Sequence, residues 1–223
     1  FVEEIEEALL SGTIDLAVHS AKDMPNPCKK GLGIAGVLPR ACVQDVLIYR
    51  AGTDIRSKDT FTVGTGSLRR RCQIKELYPQ AACMELRGNV TTRIQKLRDG
   101  LYDAIILAAA GIERLGIEKE PDLVYEYLAV DAMLPAAGQG IIAIEACEGT
   151  LPYRMAQTIS DAETEACLRA ERAVVREMEA GCHEPIGVYA TWKNEKKLCV
   201  CVMNARSGSI ERETFEREME DVK

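Results

Sequence analysis

Between residues 62 and 109 the sequence alternates short apolar runs with helical patterns, and no other feature narrows the fold as far. Thr62-Val63 closes one apolar run and residues 67–77 have helical spacing. Residues 81–86 are apolar again, 90–99 are helical and stop at Gly100, and 104–109 form a further apolar run. Strand, helix, strand, helix, strand in that order calls for an open, mainly parallel sheet, because a parallel return needs a crossover.

The flanks carry the same kind of signal. Residues 1–10 read as an amphipathic helix ended by Gly12, and 13–18 as a buried strand running into a polar loop that contains Pro25 and Pro27. Residues 31–38 and 45–49 are further apolar runs. Residues 134–140, Leu-Pro-Ala-Ala-Gly-Gln-Gly, form a small-residue connector before another strand over 141–145. Ser160 with Glu163 reads as a capping box opening a helix that reaches about Ala180, with Gly181 as its terminator. After it, 186–192, 198–203 and 210–215 read as a three-stranded antiparallel meander turning at Asn194-Glu195 and Ser207-Gly208.

Charge separates what this chain can bind. The net charge is −7, yet residues 56–98 hold ten Lys/Arg against three Asp/Glu, so that segment is at +7 and the remainder at −14. A basic segment in an acidic protein suits an anionic ligand or a solvated basic face. Nucleic acid is a poor fit, because Phe61 and Tyr78 are the only aromatics in the segment. Two histidines, His19 and His183, give little support for a His-rich metal site. The nine cysteines include no C-x-x-C pair, so reduced thiols in a cytoplasmic protein are expected. No run of eighteen apolar residues predicts a membrane span.

Four places could carry chemistry. In Val63-Gly64-Thr65-Gly66-Ser67-Leu68-Arg69-Arg70-Arg71 a strand ends, a Gly-rich turn follows and a helix starts. Free N–H groups there, the hydroxyls of Thr65 and Ser67 and the forks of Arg69 and Arg70 suit carboxylate or phosphate; a plain N-cap with solvated arginines is the competing reading. Leu86-Arg87-Gly88-Asn89 repeats the plan, and Arg93 in the next first turn opposes the helix dipole unless an anion lies near. Asp23 stands beside Ser20 and Lys22 past a strand end, either as an Asx-turn residue or as a group that moves protons. Cys182 follows Gly181; by composition alone it suits an inert, buried thiol.

Taken in order, these stretches resemble hydroxymethylbilane synthase, the porphobilinogen deaminase family. The segments are Val18-His19-Ser20-Ala21-Lys22-Asp23-Met24-Pro25, residues 63–70, Leu86-Arg87-Gly88-Asn89-Val90-Thr91-Thr92-Arg93, residues 102–108, residues 134–140 and Gly181-Cys182-His183-Glu184-Pro185-Ile186-Gly187. The resemblance implies an α/β fold with two periplasmic-binding-protein-like (type II) lobes, with mainly parallel or mixed sheets. A small α+β C-terminal domain with a three-stranded antiparallel sheet completes it. Lobe 1 would hold 1–40 and 138–158, lobe 2 41–137, and the third domain 159–223. It further implies a dipyrromethane cofactor, thioether-linked to Cys182, on which four porphobilinogen molecules are joined with loss of ammonia in porphyrin and heme biosynthesis. Asp23 would be the catalytic acid. Ser20, Lys22, Thr65, Ser67, Arg69, Arg70, Arg87 and Arg93 would bind carboxylates of cofactor and substrate. No metal, nucleic acid or membrane partner is expected, and the protein would be a monomer.

The match has departures. Gly66 stands where the family has Ser, and 38–42, Leu-Pro-Arg-Ala-Cys, lacks the acidic residues expected of the hinge. The family's N-terminal strand, a Lys-bearing loop before Phe1 and a C-terminal helix lie outside these 223 residues, so lobe 1 and the third domain are expected to be incomplete. A non-catalytic two-lobed module that captures an anion is the alternative; it differs in predicting no adduct at Cys182.

Overall fold

The computed structural model describes residues 2–117, 120–181 and 184–218, and three sheets organise them. Helix α1 (Val2–Leu10) leads into strand β1 (Ala17–Ser20). That strand starts later than the apolar run over 13–18 suggests, because the helix exit uses the intervening residues: Gly12 takes a φ of 71° and the Thr13 N–H returns to the Ala8 carbonyl at 2.9 Å. Strands β1 and β2 (Leu32–Val37) flank a later strand, residues 142–147, and pair antiparallel with it.

The second sheet holds β3 (Asp45–Arg50), β4 (Phe61–Gly64), β5 (Ala81–Met84), β6 (Ala104–Ala108) and β7 (Leu123–Tyr127), in the order β5-β4-β6-β3-β7. Helices α2 (Leu68–Leu77) and α3 (Val90–Arg98) make the crossovers, so β4 lies parallel to β5 and to β6. β3 runs antiparallel to β6 and to β7, which makes the sheet mixed. Its strands alternate between two cores. Val46, Ile48, Ile105 and Leu107 meet Ile94 and Leu97 of α3, while Leu47, Ile106, Phe61 and Val63 meet Ile74 of α2. Each such side chain contributes about 1.5–3 kcal/mol on burial, and both faces are covered, so the runs read as continuously apolar. Helix α4 (Ala109–Leu115) follows β6.

The chain returns to the first sheet as β8 (Ile142–Cys147), followed by α5 (Leu151–Gln157). The outgoing and returning connections lie side by side, with the Ala41 N–H on the Gly140 carbonyl at 3.1 Å. Gly140 is held at a φ of 85°, and a Cβ there would stand 2.6 Å from the Ala41 carbonyl oxygen, so only glycine fits this crossing.

The third unit is α6 (Ala162–Glu177) against β9 (Ile186–Asn194), β10 (Lys197–Asn204) and β11 (Glu211–Glu218), the expected antiparallel meander. The cap of α6 differs from the expected capping box. Asp161 is the N-cap and accepts from the Thr164 N–H at 2.9 Å, while Ser160 Oγ accepts from the Val37 N–H and ties the helix start to β2. α6 packs on β9 and β10 through Cys167, Leu198 and Ala190, and reaches the first sheet through Leu168. The opposite face of β10 meets α2 and the connector, where Met203 packs with Leu134 and Cys72.

Candidate active site

The Gly-rich junction folds as its residue types dictate. Ser67 caps α2 by accepting the Arg70 N–H at 3.4 Å, and Thr65 Oγ1 accepts the Ser67 N–H at 3.2 Å. Arg69 and Arg70 then fall in the first turn, and both are buried. Burying a charge is unfavourable without a partner, and Asp45 at the start of β3 supplies it. Arg70 donates to Asp45 Oδ1 from Nε at 3.1 Å and from Nη2 at 2.7 Å. Arg69 Nη1 lies 2.8 Å from Oδ2, placed for charge pairing, and gives its hydrogen bond to the Leu134 carbonyl at 2.6 Å. Gln139 Nε2 donates to Oδ1 at 3.0 Å. Burial pushes the Asp45 carboxyl up, but Arg69 and Arg70 outweigh it and hold it well below the usual carboxylate range.

The second junction is more open. Asn89 caps α3 by accepting the Thr92 N–H at 2.8 Å, and Arg93 Nε donates back to the Gly88 carbonyl at 2.6 Å. Arg87 is largely exposed, at 87% of its side chain, and its Nε lies 3.2 Å from Glu85 Oε1. Lys22 and Asp23 come from a 3-10 turn directly after β1.

These three junctions face one cleft of about 480 Å³. Of the residues expected from the sequence, Lys22, Asp23, Ser67, Arg69, Arg70, Arg87 and Arg93 line it. Ser20 and Thr65 are not among its lining residues; Thr65 is buried and serves the turn. Cys182 lies outside the described residues. Gly181 and Glu184, on either side of it, line a smaller cavity of about 130 Å³ that shares Lys22 and Ala136 with the cleft. A larger groove of about 660 Å³ between α6 and β11 shares no residue with the cleft and is lined mainly by apolar and small side chains.

The cleft carries more positive charge than it neutralises. Burial, and then the nearby Arg70, lower Lys22 from 10.5 to about 8, while Asp23 and Asp45 pull it back. Burial, and next Arg70, likewise lower Arg93. Among the described lining residues the acids are Asp23 and Glu85, against Lys22, Arg69, Arg70, Arg87 and Arg93. A donor set under mutual repulsion fits a ligand bearing several carboxylates. Among the described residues no group of three or more His, Cys, Asp or Glu is placed to hold a metal ion.

Three residues of the site escape sequence reading. Asp45 has one signal, a charge opening an otherwise apolar run, which demands a buried partner. Gln139 is concealed in the small-residue connector. Arg40, in the segment 38–42 that holds no acid, finds one elsewhere. It lies 2.6 Å from Glu171 of α6 and over the Tyr189 ring, 5.0 Å from its centroid. Glu171 also accepts the N–H groups of Gly138 and Ala190 at 2.6 and 2.7 Å, which ties the third unit to the connections between the other two.

The chain is similar to known proteins over most of its length. Residues 1–153 match the model of the "porphobilinogen deaminase, dipyromethane cofactor binding domain", and 165–222 match that of the "porphobilinogen deaminase, C-terminal domain". A porphobilinogen deaminase of Roseiflexus castenholzii is 42% identical over 95% of this chain and 70% of its own length. One of Lachnospira eligens is 44% identical over 91% of this chain and 69% of its own. Among solved structures, the periplasmic VFT2 domain of Bordetella pertussis BvgS is 17% identical, with a TM-score of 0.45 over 78% of this chain and 72% of that one. That match is too loose to speak for ligand or activity. The two family models and the long matches above 40% identity show that the chain belongs to the porphobilinogen deaminase family.

Proposed function

We propose that this chain joins porphobilinogen molecules head to tail into hydroxymethylbilane, with release of ammonia, on a dipyrromethane held by a thioether to Cys182. One observation carries the reading: cations from three strand-to-helix junctions surround one cleft that also holds Asp23, and Gly181 and Glu184, on either side of Cys182 in the chain, line a smaller cavity that shares Lys22 and Ala136 with that cleft. In this reading the cleft lies between two lobes, 1–40 with 138–158 and 41–137, and the third domain, 159–223, brings Cys182 to it. The protein is read as a cytoplasmic monomer; no described helix is long and apolar enough to cross a membrane.

When bound, the dipyrromethane would supply the pyrrole carbon to which units are added, and its carboxylates are opposite in sign to the surplus of cations. Lys22, Arg69, Arg70, Arg87 and Arg93 bind acetate and propionate groups, with Ser67 at the helix start donating a hydroxyl. Arg69 and Arg70 each spend part of their fork on Asp45, which fixes their direction and leaves the charge surplus between them. Asp23 is exposed beside Lys22. Its carboxylate is placed to stabilise positive charge on an incoming pyrrole as ammonia leaves, and to carry the proton lost when the new carbon–carbon bond forms. Positioned acid–base help of this kind contributes about 10²–10⁴-fold in rate.

The direct test is to incubate the purified protein with porphobilinogen and follow ammonia and linear tetrapyrrole together. One ammonia per porphobilinogen consumed, with tetrapyrrole formed in step, is expected. Saturable binding of porphobilinogen without ammonia would favour the anion-capturing module instead.

A further inference from the structure

The cleft contains an acid that neither its charge nor the proposed chemistry calls for. Glu85 follows β5, and its carboxylate spans two arginines: Arg71 Nη2 lies 2.7 Å from Oε2, and Arg87 Nε lies 3.2 Å from Oε1. Its backbone is fixed, because the Tyr102 hydroxyl donates to the Glu85 carbonyl at 2.7 Å. Arg71 is fixed too, since its guanidinium donates to the Thr65 carbonyl from Nε and Nη2. Space for the carboxylate comes from Gly66: a Cβ on that residue would stand 3.0 Å from Glu85 Oε1.

We propose that Glu85 is a resident carboxylate that occupies Arg87 until a carboxylated ligand displaces it, and so sets how tightly this cleft takes its substrate. The claim rests on reading the cleft as the seat of carboxylated pyrroles. The geometry suits exchange. Half of the Glu85 side chain and most of Arg87 are exposed, so water stabilises the intermediate arrangements. After exchange Glu85 keeps Arg71, and only the weaker contact, to Arg87, is given up. Competition of this kind lowers affinity for anions in general and leaves the chemical step alone, because Glu85 touches no group that gains or loses a proton in it.

A double-mutant cycle tests this, with the full chain titrated with citrate by calorimetry and assayed with porphobilinogen. Glu85→Gln keeps the shape and removes the charge. It should tighten citrate about threefold and lower KM for porphobilinogen by a similar factor at unchanged kcat, the range expected for one exposed ion pair. In an Arg87→Gln background the same substitution should change neither quantity. Equal citrate affinity and KM for Glu85→Gln and the unsubstituted protein would overturn the proposal. So would a gain of the same size in the Arg87→Gln background, which would mark a general charge effect. Absence of citrate binding in both proteins would also overturn it. Citrate reads Glu85 whether or not porphobilinogen is turned over; a protein that forms no tetrapyrrole while the cycle behaves as stated would refute the reaction and leave the role of Glu85 intact.

Discussion

Arg70 grips a single oxygen of Asp45 with two nitrogens, at 3.1 and 2.7 Å, and both side chains are out of water. Asp45→Asn would leave Arg69 and Arg70 buried without a counter-charge. The expected loss is about 3–5 kcal/mol of folding stability, read from the urea midpoint. The carboxyl is held below its unfolded value of 3.8, so its contribution is complete above that pH and is lost as the medium acidifies through the depressed folded value. A loss under about 1 kcal/mol would show that the arginines do not depend on Asp45.

Lys22 titrates at about 8 because burial and Arg70 disfavour its charge. KM for porphobilinogen should therefore rise between pH 7 and 9 as the cation is lost, and Lys22→Met should show a higher KM that is flat over the same range. Stability runs the other way. A folded value below the unfolded 10.5 makes the charge a burden below about 8, relieved as pH climbs toward 10.5. Lys22→Met should thus melt at a higher temperature than the unsubstituted protein at pH 7 while binding less well. Equal melting temperatures and parallel KM profiles would remove Lys22 from the binding role.

Asp23→Ala should retain the attached cofactor and lose about 10²–10⁴-fold in kcat, measured as tetrapyrrole formed per unit time. Asp23 is exposed, so folding should change little. Full turnover in this variant would refute its role.

Glu171→Gln should destabilise the protein by about 3–5 kcal/mol, because Arg40 would keep its buried place without its charge partner. The effect should appear as a lower denaturation midpoint and as faster protease cutting in residues 38–42. An unchanged midpoint would mean that the third unit is held by the apolar contacts of Leu168 and Met203 alone.

What the sequence shows and what it conceals divide along the distance between partners. The junction before α2 and the one before α3 are legible because their determinants are local: glycines at the strand end and Ser67 or Asn89 accepting an N–H three residues on. The antiparallel place of β3 in the second sheet is not legible in the local pattern, since its partners β6 and β7 lie some sixty and eighty residues further along the chain. Helix α5 escapes because Pro152 looks like a breaker, although Thr150 caps that helix and proline suits its first turn. The Asp45 pairs join residues 24 and 25 positions apart, and the Arg40–Glu171 pair 131 positions apart. No spacing rule reaches so far. The arginines are legible in the sequence as a candidate anion site, but Asp45, the internal anion that pairs with two of them, is not.

Mass spectrometry of the intact, purified protein bears most directly on the claim that an acidic pyrrole chain is tethered within the arginine-lined cleft. An excess equal to two carboxylated pyrrole units, absent from Cys182→Ser, is the predicted result. A mass equal to that of the bare polypeptide, or an adduct that survives Cys182→Ser, would contradict it.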